Sequence, residues 1–227
     1  MTIPVRKVRM ACHRLVPSRF PPTGLYDRVA DPDDLDIIFA IENLTNPRIR
    51  DETGDLQLVP TDERISGEGT TPIMAAFTHL NPAGSRFTDG SWGAYYAGES
   101  LETAVAETMY HRARFLAATC EPPIEIDMRH YLADLSAPLH DVRGRRAVMP
   151  DIYDPDSYTA SQALARTLRT DKSWGVAYDS VRREGGSCVA VFRPKALTAC
   201  RQSQHISFIW DGDKMSGWDS KSDLQEV

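Results

Sequence analysis

The stretch Ser85–Thr108, SRFTDGSWGAYYAGESLETAVAET, limits what this chain can fold into more than any other. An arginine, a glycine-rich turn, a short aromatic strand and a helix follow one another almost without spacer. Trp92 to Ala97 has the aromatic content of a strand. Gly98 breaks it, and Ser100 is a helix N-cap. Glu102 then falls in the first helical turn, where the dipole favours a carboxylate. The helix is expected to run to about Ala118, with Pro122 and Pro123 closing the connection. A strand feeding directly into a helix brings Arg86, one ring of the Tyr95–Tyr96 pair and Glu107 towards one place. A guanidinium, a ring and a carboxylate together suit one small anionic ligand.

The rest of the chain supplies a scaffold for that unit. Residues 7–16, KVRMACHRLV, alternate so that Val8, Met10 and Cys12 share a strand face. Arg14 has the same parity. It is either buried against an anion or past the strand end in water. Residues 17–35 are loop, dense in proline and aspartate. Asp36 to Glu42 is a short helix or strand, and 43–72 is polar apart from a possible strand at Leu56–Val59. Together, 17–72 reads as an insertion or lid region within a core of about 8–210. Thr71 to Thr78 is moderately apolar. Ile124–Asp127 and Ser187–Phe192 read as strands, Ala160–Thr170 as a helix, and His205–Trp210 as a terminal strand. The polar tail 211–227 is expected to fray.

Strands and helices are interspersed without regular βαβ spacing. One α+β domain is therefore expected over the 227 residues, not a doubly wound sheet. Neither a Walker A motif nor a Rossmann glycine fingerprint is present, so a nucleotide would need another scaffold. The formal net charge of −6 argues against nucleic-acid or anionic-membrane binding. No apolar run approaches the roughly 18 residues of a membrane span. The first residues lack the apolar core of a secretory signal, so a cytoplasmic location is expected. Cys12, Cys120, Cys188 and Cys200 are widely spaced, and the histidines show no ligand spacing with them. No metal is expected. Strand alternation points His13 to the face opposite Arg14.

Each candidate side chain also has an ordinary reading. Arg86 precedes the Gly90–Gly93 loop, whose amides would suit a phosphate, yet it would equally serve as a solvated loop arginine. Tyr95 and Tyr96 must face opposite ways, so one is core and the other free for a cleft. Leu101, Val105, Met109, Arg112 and Leu116 mark one helical stripe, and Glu107 projects away from it. It is either exposed or lines a cleft that the small Ala104 and Ala106 leave open. Ser180, in Tyr178-Asp179-Ser180-Val181-Arg182, either caps a turn or offers its hydroxyl to a ligand.

Taken with their order, these segments resemble the RES family. Arg14 in CHRL, Arg86 in GSRF, Tyr96 in AYYAGES, Glu107 in ETAVAET and Ser180 in YDSVR match its motif positions. It is this motif that selects Tyr96 over Tyr95. In Gly84-Ser85-Arg86 one extra residue separates the usual glycine from the arginine. The resemblance implies an ADP-ribosyltransferase-like mixed fold with a central split β-sheet core flanked by helices. It implies an NAD-degrading toxin that cleaves the nicotinamide–ribose bond as a glycohydrolase or phosphorylase. NAD would then be the substrate, with no separate cofactor. Glu107, Arg86 and Tyr96 would be catalytic, and Arg14, Arg86, Tyr96 and Ser180 would bind the dinucleotide. A cognate antitoxin with a helix-turn-helix domain would restrain the enzyme and carry any operator binding. Two other readings stay open: a protein ADP-ribosyltransferase on the same scaffold, and a non-catalytic nucleotide- or partner-binding module. A homo-oligomer also stays open.

Overall fold

The computed structural model describes residues 2–18, Asp27, Leu35 and 54–221. Seven strands form one mixed sheet: β1 (Val5–Pro17), β2 (Tyr95–Gly98), β3 (Ile124–Asp141), β4 (Gly175–Asp179), β5 (Ser187–Val191), β6 (Arg201–Trp210) and β7 (Met215–Lys221). Three α-helices lie wholly among the described residues: α1 (Thr71–Thr78), α2 (Leu101–Ala118) and α3 (Thr159–Thr170). The fold is therefore mixed α+β, as the interspersed pattern predicts.

The long strand β3 organises the sheet. One edge pairs with β1 along its length, from Val5 opposite His140 to Pro17 opposite Met128. Its other edge is split. The N-terminal half carries β6, and only His140 and Asp141 reach β4. Pro138, which has no amide hydrogen to donate, falls between those two partners. From β4 the sheet continues through β5 to β2, and β2 returns to β1 by one pair, His13 opposite Gly98. These pairings close a ring of five strands, with the β6–β7 hairpin as an extension.

Alternation sorts the side chains of the ring into an inside and an outside. Val8, Cys12, Tyr95, Ala97, Ala133, Leu135, Ala177, Val189 and Val191 point into the interior cluster, which α1 caps with Ile73, Met74 and Phe77. On the outside, Val176, Tyr178, Cys188 and Ala190 pack towards α3 through Ala165 and Leu168. A separate outer patch of Leu15, Met128, Ile206 and Phe208 is covered by Ala104 and Val105 of α2. Two helices thus sit side by side on one sheet surface, leaving a cleft between them.

Several expectations change. Leu56–Leu58 is a turn of 3-10 helix rather than a strand, because Asp55 caps it by accepting from the Gln57 amide. The strand from Ile124 runs to Asp141, carried by the alternating Ala133, Leu135, Ala137 and Leu139. Residues 215–221 do not fray: they form β7, paired with β6 from Trp210 to His205. The segment Asp36–Glu42 lies outside the described residues, as does most of 17–53. Within 17–72, Leu35, Leu56 and Val59 join the interior cluster, and Asp27 accepts from both the amide and the hydroxyl of Thr71.

Candidate active-site cleft

Past the His13–Gly98 pair, β1 and β2 diverge. The gap opens into a cleft of about 720 Å³, walled by α2 on one side and by residues 81–86 and the start of α3 on the other. Arg14, Arg86, Tyr96 and Glu107 all line it.

Arg14 bridges the diverging strands. Its Nη1 donates to the Tyr96 carbonyl at 3.1 Å, and its guanidinium lies over the Tyr95 ring, 4.8 Å from the centroid. It is thus inside the fold, not in water beyond the strand. Its Nε is buried without a protein partner among the described residues. A guanidinium held that way favours an anion beside it. His13 also lines the cleft. The expectation that alternation would turn it away fails because the cleft opens at the strand edge, where both faces are accessible. His13 Nδ1 and His130 Nε2 lie 3.0 Å apart in stacked rings. Burial, with the neighbouring His13, lowers the His130 pKa to about 4.

Tyr95 is core and Tyr96 is turned to the cleft, the opposite orientations that a strand requires. The Tyr96 hydroxyl accepts from Ser85 Oγ at 2.7 Å and from the Phe87 amide at 2.9 Å. Burial raises its pKa to about 12, so it stays a neutral phenol. By holding Ser85 and Phe87, Tyr96 fixes the segment that carries Arg86. Gln162 on α3 holds it from the other side, donating to the carbonyls of Ser85 and Thr88.

Arg86 is 6% exposed, which a solvated loop arginine would not be. Its Nη1 donates to the carbonyls of Ile152 and Asp154, both at 2.9 Å, and its guanidinium lies 4.7 Å from the Tyr158 centroid. One end of the guanidinium therefore holds the 150–158 segment over the cleft, and Nε and Nη2 have no hydrogen-bond partner among the described residues. The glycines of the Gly90–Gly93 loop do not line the cleft. A Cβ at Gly93 would meet Phe77 Cα at 2.3 Å, so that glycine serves close packing on α1.

Glu107 leaves the packed face of α2. The Ser100 hydroxyl caps that helix by accepting from the Thr103 amide. Val105, two residues before Glu107, is buried beneath the helix. Glu107 Oε1 accepts from Ser180 Oγ at 2.7 Å and from the Val181 amide at 3.3 Å. The second carboxylate oxygen has no partner among the described residues. Ser180 caps its turn, and its hydroxyl proton goes to a neighbouring side chain rather than into the cleft. Its oxygen accepts from the amides of Arg182 and Arg183, capping the turn, while its proton goes to Glu107. It is buried and does not line the cleft.

The lining also includes His111, Arg112, Phe115, Tyr158 and Gln162, which sequence patterning did not single out as a site. His111 stands four residues beyond Glu107, and that spacing alone places it on the same helix face. Arg112 faces the cleft instead of following Met109 into the packed stripe. Above them, Tyr110 and Arg182 stack, and both donate to the Pro155 carbonyl. Tyr158 and Gln162 carry no local signal, since their role depends on where α3 docks.

Comparison with known proteins adds three findings. A family model described as RES domain matches residues 62–211. A protein of Sinorhizobium fredii (strain NBRC 101917 / NGR234), called uncharacterized protein y4oC, is 33% identical over 204 residues, covering 90% of this chain and 84% of that protein. A chain of the M. tuberculosis MbcT–MbcA toxin–antitoxin complex aligns over 92% of this chain and 87% of its own length, at 13% identity and a TM-score of 0.49.

Proposed function

The chain belongs to the RES domain family, and from that premise we propose that it cleaves the nicotinamide–ribose bond of NAD. The observation that carries this reading is the setting of Glu107. One carboxylate oxygen is anchored by Ser180 and Val181, and the other is left for the cleft between Arg86, Arg14 and Tyr96.

Cleavage breaks the bond between the ribose anomeric carbon and the pyridinium nitrogen. The bonding pair goes to nitrogen, so nicotinamide departs as a neutral ring and needs little help from an acid. Positive charge grows on the ribose, as in glycoside cleavage. Glu107, already oriented, opposes that charge without reorganising. Arg14 and Arg86 hold the pyrophosphate, and the neutral Tyr96 phenol keeps the Arg86 segment in place. Water as acceptor adds its oxygen to the anomeric carbon and releases a proton, giving ADP-ribose. Inorganic phosphate gives the phosphorylated sugar instead.

A protein acceptor is less well supported. Many protein transferases of this kind carry a second acidic residue two positions before the catalytic glutamate. Here that position is Val105, packed into the core. Incubation with NAD, with and without inorganic phosphate, separates the alternatives. Free nicotinamide with ADP-ribose or its phosphorylated form is expected. Label from the adenylate half appearing on protein would favour the transferase.

A further inference from the structure

Along α2 the cleft-facing residues change character in order. Glu107, His111 and Phe115 recur every four residues, with Thr108 and Arg112 beside them, and all five line the cleft. At a rise of 1.5 Å per residue the stripe from Glu107 to Phe115 is about 12 Å long. It begins with a carboxylate, continues through an imidazole and a guanidinium, and ends in a phenyl ring. A dinucleotide cleaved at its ribose presents the complementary series: a sugar gaining positive charge, a pyrophosphate, and a flat base.

Among the described residues, Phe115 joins none of the hydrophobic core clusters. Its side chain is 48% exposed, whereas the adjacent Leu116 is buried beneath the helix. Its backbone carbonyl accepts from both the amide and the hydroxyl of Thr119, so the helix end is secured whatever side chain stands there. An apolar ring left in water at the far end of a cationic cleft is a surface for stacking.

We propose that Phe115 is the stacking platform for the adenine of the dinucleotide, fixing the substrate along α2 with its nicotinamide ribose at Glu107. This rests on the NAD-cleavage reading and adds a base subsite to it. His111 and Arg112 then face the phosphates from the helix side, opposite Arg14 and Arg86. Burial lowers the His111 pKa, so its ring serves as a neutral N–H donor.

The test measures AMP binding by calorimetry, and the KM for NAD, in the wild type and in Phe115→Ala, Phe115→Leu and Phe115→Trp. Loss of one base–aromatic stack, about 1–3 kcal/mol, corresponds to about 5- to 150-fold in affinity. Phe115→Ala should weaken AMP binding by a factor in that range and raise the KM for NAD in parallel, the loss falling on KM more than on kcat. Tryptophan should retain both, and leucine should not. Unchanged AMP affinity in Phe115→Ala, or full retention by leucine, overturns the proposal. A KM effect without an AMP effect would also overturn it and would assign Phe115 to a partner surface or to the helix itself. AMP binding is measured without turnover. Failure of the wild type to release nicotinamide would therefore refute the cleavage reading and leave the base subsite to be judged on its own.

Discussion

At the scale of single residues, Ser180 caps a turn, as its sequence context allows, and has a second task that the sequence did not show. Its hydroxyl caps a turn with its oxygen and orients Glu107 with its proton. Ser180→Ala removes both. Turnover should fall by about 10-fold, the equivalent of one hydrogen bond of about 1.4 kcal/mol to a charged group. The lost cap should cost about 1 kcal/mol, or about 2–4 °C in Tm. Unchanged turnover in a destabilised variant would reduce Ser180 to a cap. The pieces of this site were legible in the sequence because each lies in a short local context: the arginine before a glycine turn, the tyrosine in a strand, the glutamate on a helix. Their convergence was legible too, but the contact that orients the glutamate was not. Nothing local shows that Glu107 Oε1 meets Ser180, since that contact needs α2 docked beside the β4–β5 turn. His13 lines the cleft against expectation for the same reason. Alternation predicts faces, but not where a strand edge comes free.

At the scale of elements, the units legible in advance were those that hydrophobic pattern defines alone. They are α2 with its Ser100 cap, α3, and the buried strand β5. The second half of β3 goes beyond the expected strand because two of its four inward residues are only alanines, and Pro138, among its outward residues, argues against a strand. It forms because β1 pairs along its whole length. β7 is polar throughout and exists only as a partner of β6. The β1–β3 pair also carries a titratable device. His130 is buried, stacks on His13, and has an Nδ1 without a partner among the described residues. Its pKa in the fold is about 4, below the ordinary 6.5. The unfolded chain therefore takes up the proton first as pH falls, and stability is lost as pH drops from about 6.5 towards 4. Tm measured across that window should fall in the wild type and fall less steeply in His130→Asn. Parallel curves would show that the dyad does not govern acid stability.

At the scale of the whole molecule, two helices share one face of a closed strand ring, and the cleft is the seam between them. The ring fixes where α2 and α3 stand, and the 150–158 segment, tied to Arg86 and Arg182, covers the seam. A cleft of this kind, cationic within a chain of net charge −6, also suits capture by an acidic segment of a restraining partner. Expression without that partner should arrest growth, and co-expression of an antitoxin that occupies the cleft should relieve it. Harmless expression of a folded, NAD-cleaving protein would count against the toxin role while leaving the chemistry intact. The central claim is that Glu107, held by Ser180 in a cleft that Arg14 and Arg86 also line, promotes loss of nicotinamide. It is tested most directly by following nicotinamide release from NAD with the purified wild type and with Glu107→Gln, after circular dichroism has shown both to be folded. The account predicts release by the wild type and nearly none by the variant. No release by the wild type, or undiminished release by the variant, would contradict it.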